Sequence, residues 1–445
     1  MRSVRWEIES DCNLKCKHCF IGKISFDKSL TLDEKMLLCE RLIEKKVKSV
    51  ALTTKEPLLN DENLEVIKKL SEANIKVFLV TNATLINSQY AIKIVNSGIN
   101  GIAVSLEGIS AKSNDEIRGK GSFKAAIKGL EILNDTIFLM ENPISISIQM
   151  TINRYNYSEL SEILYFLDKY NINSLSVGTI SNSGNVEDNQ HIILSDNEYF
   201  MACLKLARLY NHKMRKNFVL EFKSLSPWES ILINLLTSAN LCYYIPNCSA
   251  KEGSYSLTSD GKLIPCISLN DEYANTRFNL LSNKTDFKWE EISNELLENN
   301  KEFKIKGSIC ENCQFRLNCM PCPASLKKDG SNSGIFKKCE KAMIKVKEII
   351  DGIIVNDELN KLVLSPGMYE YKNDKFEITR VYSNGVILQQ NLYVNEEESK
   401  LIINGKWKNL AMNYKTSEEL ETFIFNMIAK DLVCLVGENY HETNF

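Results

Sequence analysis

Three cysteines crowd one short run near the start of the sequence, Cys12-Asn-Leu-Lys-Cys16-Lys-His-Cys19. Thiolates are the protein ligands of iron–sulfur clusters, and a 4Fe-4S cube is usually held by four of them, one on each iron. Here three lie close enough on one loop to grip three corners, and the next cysteine is Cys39. The remaining iron is then open. Such a Lewis-acidic corner can chelate the amino and carboxylate groups of an amino-acid-like ligand and hold its sulfonium beside a reductant, so that a sulfur–carbon bond breaks homolytically. Zinc is the rival, since CxxC pairs also build zinc sites. CxxxCxxC directly after a strand is the more specific pattern.

A second field of cysteines follows much later: Cys242, Cys248 and Cys266, then Cys310, Cys313, Cys319, Cys322 and Cys339. Eight thiolates suffice for two complete cubes, with two zinc sites as the alternative. Cys39, Cys203 and Cys434 sit in apolar surroundings, where cysteine behaves as a small buried hydrophobe. They are assigned no role.

These groups need elements to position them. With 445 residues, the chain is long enough for two or three domains. Hydrophobic residues make up 44%, charged residues 25%, and the net charge is −3, which disfavours nucleic acid as a partner. The opening residues MRSVRWEIESDC lack a secretion signal, and no later stretch approaches ~18 uncharged apolar residues, so no membrane partner is expected and the expected compartment is the cytoplasm. There, fourteen cysteines are read as metal ligands rather than disulfides.

SVRWEIE alternates like a strand, the cysteine loop follows, and a helical period runs from 32 to 47. The rhythm returns in VKSVALTT, IKVFLVTN, INGIAVSL and PISISIQMTI, with helices near 61–73, 86–97, 121–135 and 157–170, and NSLSVGTI adds a sixth strand. Strands alternating with helices call for an α/β fold with a parallel sheet, a partial (β/α)6 barrel whose strand-following loops share one mouth. Residues 1–237 are expected to form this barrel with bridging helices. From 238 to 345 a cysteine-rich module is expected, with SYSLTSDGKLIP turning as a hairpin at Asp260-Gly261. After a charged helix near 338–352, residues 353–445 read as a small α+β appendage, with alternating runs such as YEYKNDKFEITRVY and SKLIINGKWKNL and a helix near 416–430.

The three-cysteine loop after a first strand resembles that of the radical S-adenosylmethionine superfamily, and the likeness covers roughly residues 1–180. TKEPLL at 54–59 resembles the family's GGEPLL, keeping Glu56 and Pro57 but replacing both glycines with Thr54 and Lys55. TNATL at 81–85 resembles TNGTL, and SLEGISAKSNDEIRGKGSF resembles the signature of the family's peptide-modifying branch. The resemblance implies that the Lys55-Glu56 segment receives the methionyl ammonium, although Lys55 adds a positive charge there. It also implies Ser105 on the ribose, Arg118 on the methionyl carboxylate through its bidentate fork, and the backbone at His18 and Ile180 on the adenine.

The second cysteine field resembles the SPASM domain, the auxiliary-cluster module of this superfamily. By that resemblance Cys242, Cys248, Cys266 and Cys322 hold an inner cluster, and Cys310, Cys313, Cys319 and Cys339 an outer one, giving three 4Fe-4S clusters with S-adenosylmethionine. Cys319 and Cys322 stand closer than in the family's usual pattern, which leaves room for an open auxiliary iron. The resemblance implies an oxidoreductase that installs a thioether or related cross-link in a ribosomally made precursor peptide, served by a reductant such as flavodoxin or ferredoxin. A sulfatase-maturating activity is the alternative within the family, but it uses an aspartate just after the hairpin cysteine, where this chain has Ile267. A non-catalytic electron-transfer or peptide-binding scaffold is the alternative outside it. The appendage at 353–445 is expected to offer a strand edge to the peptide or to act as a lid or packing element.

Overall fold

The computed structural model describes residues 2–23, 29–213, 218–242, 248–270, 272–273, 275–282, 286–298, 310–311, 313, 315, 319, 333–372, 375–382 and 387–435. Val4 and Trp6 alternate with Ser3, Arg5 and Glu7 in β1 (Ser3–Glu7). The same period of two recurs in β2 (Ser49–Thr53), β3 (Lys76–Thr81), β4 (Gly101–Ser105), β5 (Ser145–Thr151) and β6 (Ser174–Gly178). Between them run helices α1 (Leu32–Glu44), α2 (Asn63–Glu72), α3 (Ser88–Asn96), α4 (Ala111–Arg118), α5 (Ser122–Leu139) and α6 (Leu160–Lys169). Their starts are set locally: Thr31 and Glu34 form a capping box on α1, and Asn87 and Ser110 cap α3 and α4. Then come α7 (Asp196–Lys213), β7 (Val219–Phe222), α8 (Pro227–Thr237), β8 (Ser254–Leu257), β9 (Leu263–Ile264) and α9 (Trp289–Glu298).

The chain divides into two compact units, one comprising 1–194, 247–311 and 318–331, the other 195–246, 312–317 and 332–445. In the first unit the strands lie in the order β6-β5-β4-β3-β2-β1-β8-β9. Every pairing from β6 to β8 is parallel, and only the β8–β9 hairpin is antiparallel. The six expected strands therefore form, and the hairpin extends their sheet beside β1. It turns through Gly261 at a φ of +82°, with Thr258 N–H donating to Lys262 O at 2.9 Å.

The two faces of this sheet differ. Val4, Trp6, Val50, Leu52, Val77, Leu79, Ile102, Val104, Ile146, Ile148, Leu175 and Val177 all point to one side and are buried. The alternate positions are small or polar and more open, as at Arg5, Ala51, Ser105, Ser147, Gln149 and Ser176, and Phe78 there is 39% exposed. Hydrophobic burial thus secures one face and leaves the other for a ligand.

In the second unit, the helix Ser333–Val355 precedes β10 (Leu362–Leu364) and the antiparallel sheet β11 (Gly367–Lys372), β12 (Lys375–Val381) and β13 (Ile387–Leu392). The helix Ser417–Ala429 matches the one expected near 416–430, and β14 (Val433–Leu435) pairs with β10. One expectation fails: SKLIINGKWKNL is not a strand-like run but lies in helices Glu396–Ile403 and Trp407–Ala411. The reason is local. Asn395 and Glu398 form a capping box, and Glu396, Glu397 and Glu398 place negative charge in the first turn.

Candidate active site

The cysteine loop leaves from the end of β1 and is held on several sides. Lys17 N–H donates to Ile117 O at 2.8 Å, and Asn185 reaches Cys16 O through its amide at 2.8 Å and Cys19 O through its backbone at 3.0 Å. Asn13 joins the segment after β3, donating to Thr84 Oγ1 at 2.8 Å and accepting from Asn82 Nδ2 at 2.9 Å. Gly184 has a φ of +67°, and a Cβ there would stand 2.4 Å from Cys19 O, so only glycine lets this backbone approach the loop.

The loop brings Cys12, Cys16 and Cys19 within electrostatic reach of one another. Burial pushes the Cys16 thiol up to about 11 despite the nearby Arg118 guanidinium, so metal binding there has to displace protons. Among the described residues no three His, Cys, Asp or Glu side chains converge as they would on a single metal ion. A cube places each thiolate on a different iron, which keeps its ligands further apart than those of one ion.

Facing the thiols is a buried ionic hub. Glu107 Oε1 accepts from Arg118 Nη2 at 2.7 Å and lies 3.2 Å from His18 Nε2, while Oε2 accepts from Thr151 N–H and Oγ1–H, both at 2.7 Å. Burial opposes the Glu107 charge, but His18 and Arg118 overcome it and hold the carboxyl well below its ordinary range. Burial likewise opposes the Arg118 charge, and Glu107 keeps the guanidinium protonated. Arg118 Nε and His18 Nδ1 are buried with no hydrogen-bond partner among the described residues. A spare guanidinium donor and an unpartnered imidazole nitrogen beside three clustered thiols fit an anionic, amino-acid-like ligand bound to a cluster at this loop.

The other expected contacts fall around the same mouth. Ser105 ends β4 and is partly exposed; Ile180 packs with Ile117, Val186 and Ile192 just past β6. Glu56 has another role in this arrangement. It is 0% exposed, and its carboxylate accepts from Leu58 N–H at 3.0 Å, Thr81 Oγ1–H at 2.7 Å and Asn82 N–H at 2.8 Å. These bonds tie the end of β2 to the end of β3 and leave the carboxylate facing protein, not a ligand. Thr54, Lys55 and Ala83 stand where the resembling motifs have glycine, and their φ values are +67°, +49° and +59°. The glycine conformation persists without glycine, at a steric cost largest for β-branched Thr54.

Of the second cysteine field, Cys248, Cys266, Cys310 and Cys319 belong to the first unit and Cys242, Cys313 and Cys339 to the second. Cys322 lies outside the described residues. Ile267 packs with Ile21 and Ile264, with Cys19 against the same cluster, so the residue after the hairpin cysteine borders the first cysteine loop. Cys39, Cys203 and Cys434 are buried, as their apolar surroundings suggested.

Residues 7–178 match the radical SAM superfamily. These residues form a radical SAM domain. The chain is 23% identical over 345 residues to an AdoMet-dependent heme synthase of Methanosarcina barkeri, covering 73% of this chain and 91% of that protein. It is 28% identical over 166 residues to mycofactocin maturase MftC of Mycolicibacterium smegmatis, covering 37% of this chain and 41% of that protein. Its fold is similar to that of Streptococcus suis SuiB bound to S-adenosylmethionine, at a TM-score of 0.57 and 18% identity over 74% of each chain.

Sequence reasoning missed Glu107, Asn185 and Glu7. Glu107 had a signal, since it stands two residues past Ser105 in the SLEG run. Asn185 had none, because only folding brings it to the cysteine loop.

Proposed function

We propose that the chain is a radical SAM peptide maturase that installs a thioether or related cross-link in a ribosomally made precursor. The observation that carries this reading is the group of three thiols beside Arg118, whose buried Nε has no partner among the described residues. Cys12, Cys16 and Cys19 would hold a 4Fe-4S cluster, with Arg118 on the methionyl carboxylate, Ser105 on the ribose, the His18 and Ile180 backbone on the adenine, and the Lys55 segment near the ammonium. With cluster and S-adenosylmethionine bound, such a site supplies a 5′-deoxyadenosyl radical able to abstract hydrogen from an unactivated carbon. The chain contributes a partly open, polar sheet face and fixed neighbours that hold the loop.

The remaining cysteine assignments support two auxiliary clusters that accept the substrate's electron, with a flavodoxin or ferredoxin supplying the first. Ile267 speaks against the formylglycine-forming alternative. In the second unit, β11 and β13 each pair only with β12 among the described residues, so the three-stranded sheet offers edges for an extended peptide. The heme synthase likeness favours one further reading, action on a heme precursor.

Anaerobically reconstituted protein with dithionite and S-adenosylmethionine is expected to release 5′-deoxyadenosine, and Cys16→Ala is expected to release none. Release retained in that variant would defeat the cluster assignment. Mass spectra of a precursor peptide and of an iron porphyrin, each incubated with the enzyme, separate the two substrate classes.

A further inference from the structure

Among the described residues of the first unit four glutamates are buried: Glu7, Glu9, Glu56 and Glu107. Three are engaged. Glu9 takes Lys35 at 2.7 Å and Asn63 at 2.6 Å; Glu56 and Glu107 hold the donors already described. Glu7 differs. It is 1% exposed, yet its Oε2 has no hydrogen-bond partner among the described residues. A buried polar atom left unpaired costs folding free energy, and each one in a native fold calls for an explanation.

The location supplies one. Glu7 ends β1, five residues before Cys12, in register with Thr53 of β2 and on the sheet face that also carries Ser105. A second orphan stands at the same end of the neighbouring strand: Ser259 is 0% exposed with its Oγ unpartnered among the described residues, two positions past Leu257, the partner of Trp6. The charged groups acting on Glu7 are Asp260 in the hairpin turn and Lys55 after β2. The position where a related activity places its acid, residue 267, holds an isoleucine in an apolar cluster.

We propose that Glu7 is the catalytic base that accepts the proton released when a substrate carbon is joined to a second substrate atom. The inference rests on the cross-linking reading above. Such a reaction breaks one C–H and one X–H bond and forms one C–X bond, X being sulfur, oxygen, nitrogen or carbon. One hydrogen atom leaves as the third hydrogen of the methyl group of 5′-deoxyadenosine, and one electron passes to an iron–sulfur acceptor. The second hydrogen leaves as a proton, which goes to Glu7 Oε2. Burial and Asp260 push the Glu7 carboxyl up to about 8, against the pull of Lys55, so the group binds such a proton well near neutrality.

The test uses the full-length reconstituted enzyme and a synthetic cysteine-containing peptide as the probe. Wild type is expected to make a product two hydrogens lighter, with product per 5′-deoxyadenosine rising with pH and levelling above about 8. Glu7→Gln is expected to keep its affinity for the peptide and still release 5′-deoxyadenosine, but to lose product on the order of 10²-fold, with a flat pH profile. Glu7→Asp should recover part of the product with a displaced profile. Product within about threefold of wild type in Glu7→Gln, joint loss of product and 5′-deoxyadenosine, or loss of peptide binding would each overturn the proposal. Wild-type enzyme that releases 5′-deoxyadenosine yet never lightens the peptide would instead sink the cross-linking reading and the inference with it.

Discussion

The same sheet buries a glutamate near the end of β4 and another at the end of β1, and their surroundings drive them in opposite directions. Glu107 meets Arg118, His18 and two donors from Thr151, and stays ionised. Glu7 meets desolvation and Asp260, answered only in part by Lys55, and its carboxyl rises to about 8. Residue type is constant; environment decides. The β4 side is built as a permanent counter-ion that aims a guanidinium at the cysteine loop, whereas the β1 side is built to exchange a proton.

Removing the permanent charge should have the larger consequence. Glu107→Gln leaves Arg118 without its buried partner and is expected to cost about 3–5 kcal/mol in urea denaturation. A loss below about 1 kcal/mol would mean that the hub does not carry the fold at this end.

The contrast sharpens with pH. The folded chain keeps the Glu7 proton up to about pH 8, while the unfolded chain releases it near the ordinary value of 4.5, so this group's stabilising contribution falls as pH rises between the two and then levels. Glu107, held low, has the opposite dependence: its contribution is present above the ordinary carboxylate range and is lost only as pH falls below it. Glu7→Gln is therefore expected to raise the Tm by roughly 5 °C over wild type at pH 8, with the gap closing by about pH 5. A difference that ignores pH would show that Glu7 does not hold its proton.

The smallest effect is expected from Lys55→Met, which removes a charge that pulls Glu7 downward. The pH at which wild-type stability levels should move up by about half a unit. No movement, or movement downward, would remove Lys55 from the environment of Glu7.

Much of this was legible beforehand, for definable reasons. The cysteine spacing is a one-dimensional signal, and the alternation that gives β1 to β6 is written into consecutive residues. What escaped depends on distant pairing. Glu7 looks like one more polar position in an alternating strand until β8 and its hairpin are laid beside β1. Glu56 reads as a ligand-facing motif residue, yet three donors from its own turn and the end of β3 already occupy it. The run at 396–411 shows how a local cap overrides apparent alternation, since Asn395 and Glu398 commit it to helix.

The left-handed turn at Thr54 and Lys55 keeps a shape that bare glycine adopts freely, now carrying two side chains. Their bulk and the lysine charge therefore sit beside the cysteine loop, where Glu56 N–H donates to Asp11 O at 3.3 Å and Lys55 acts on the Cys12 thiol.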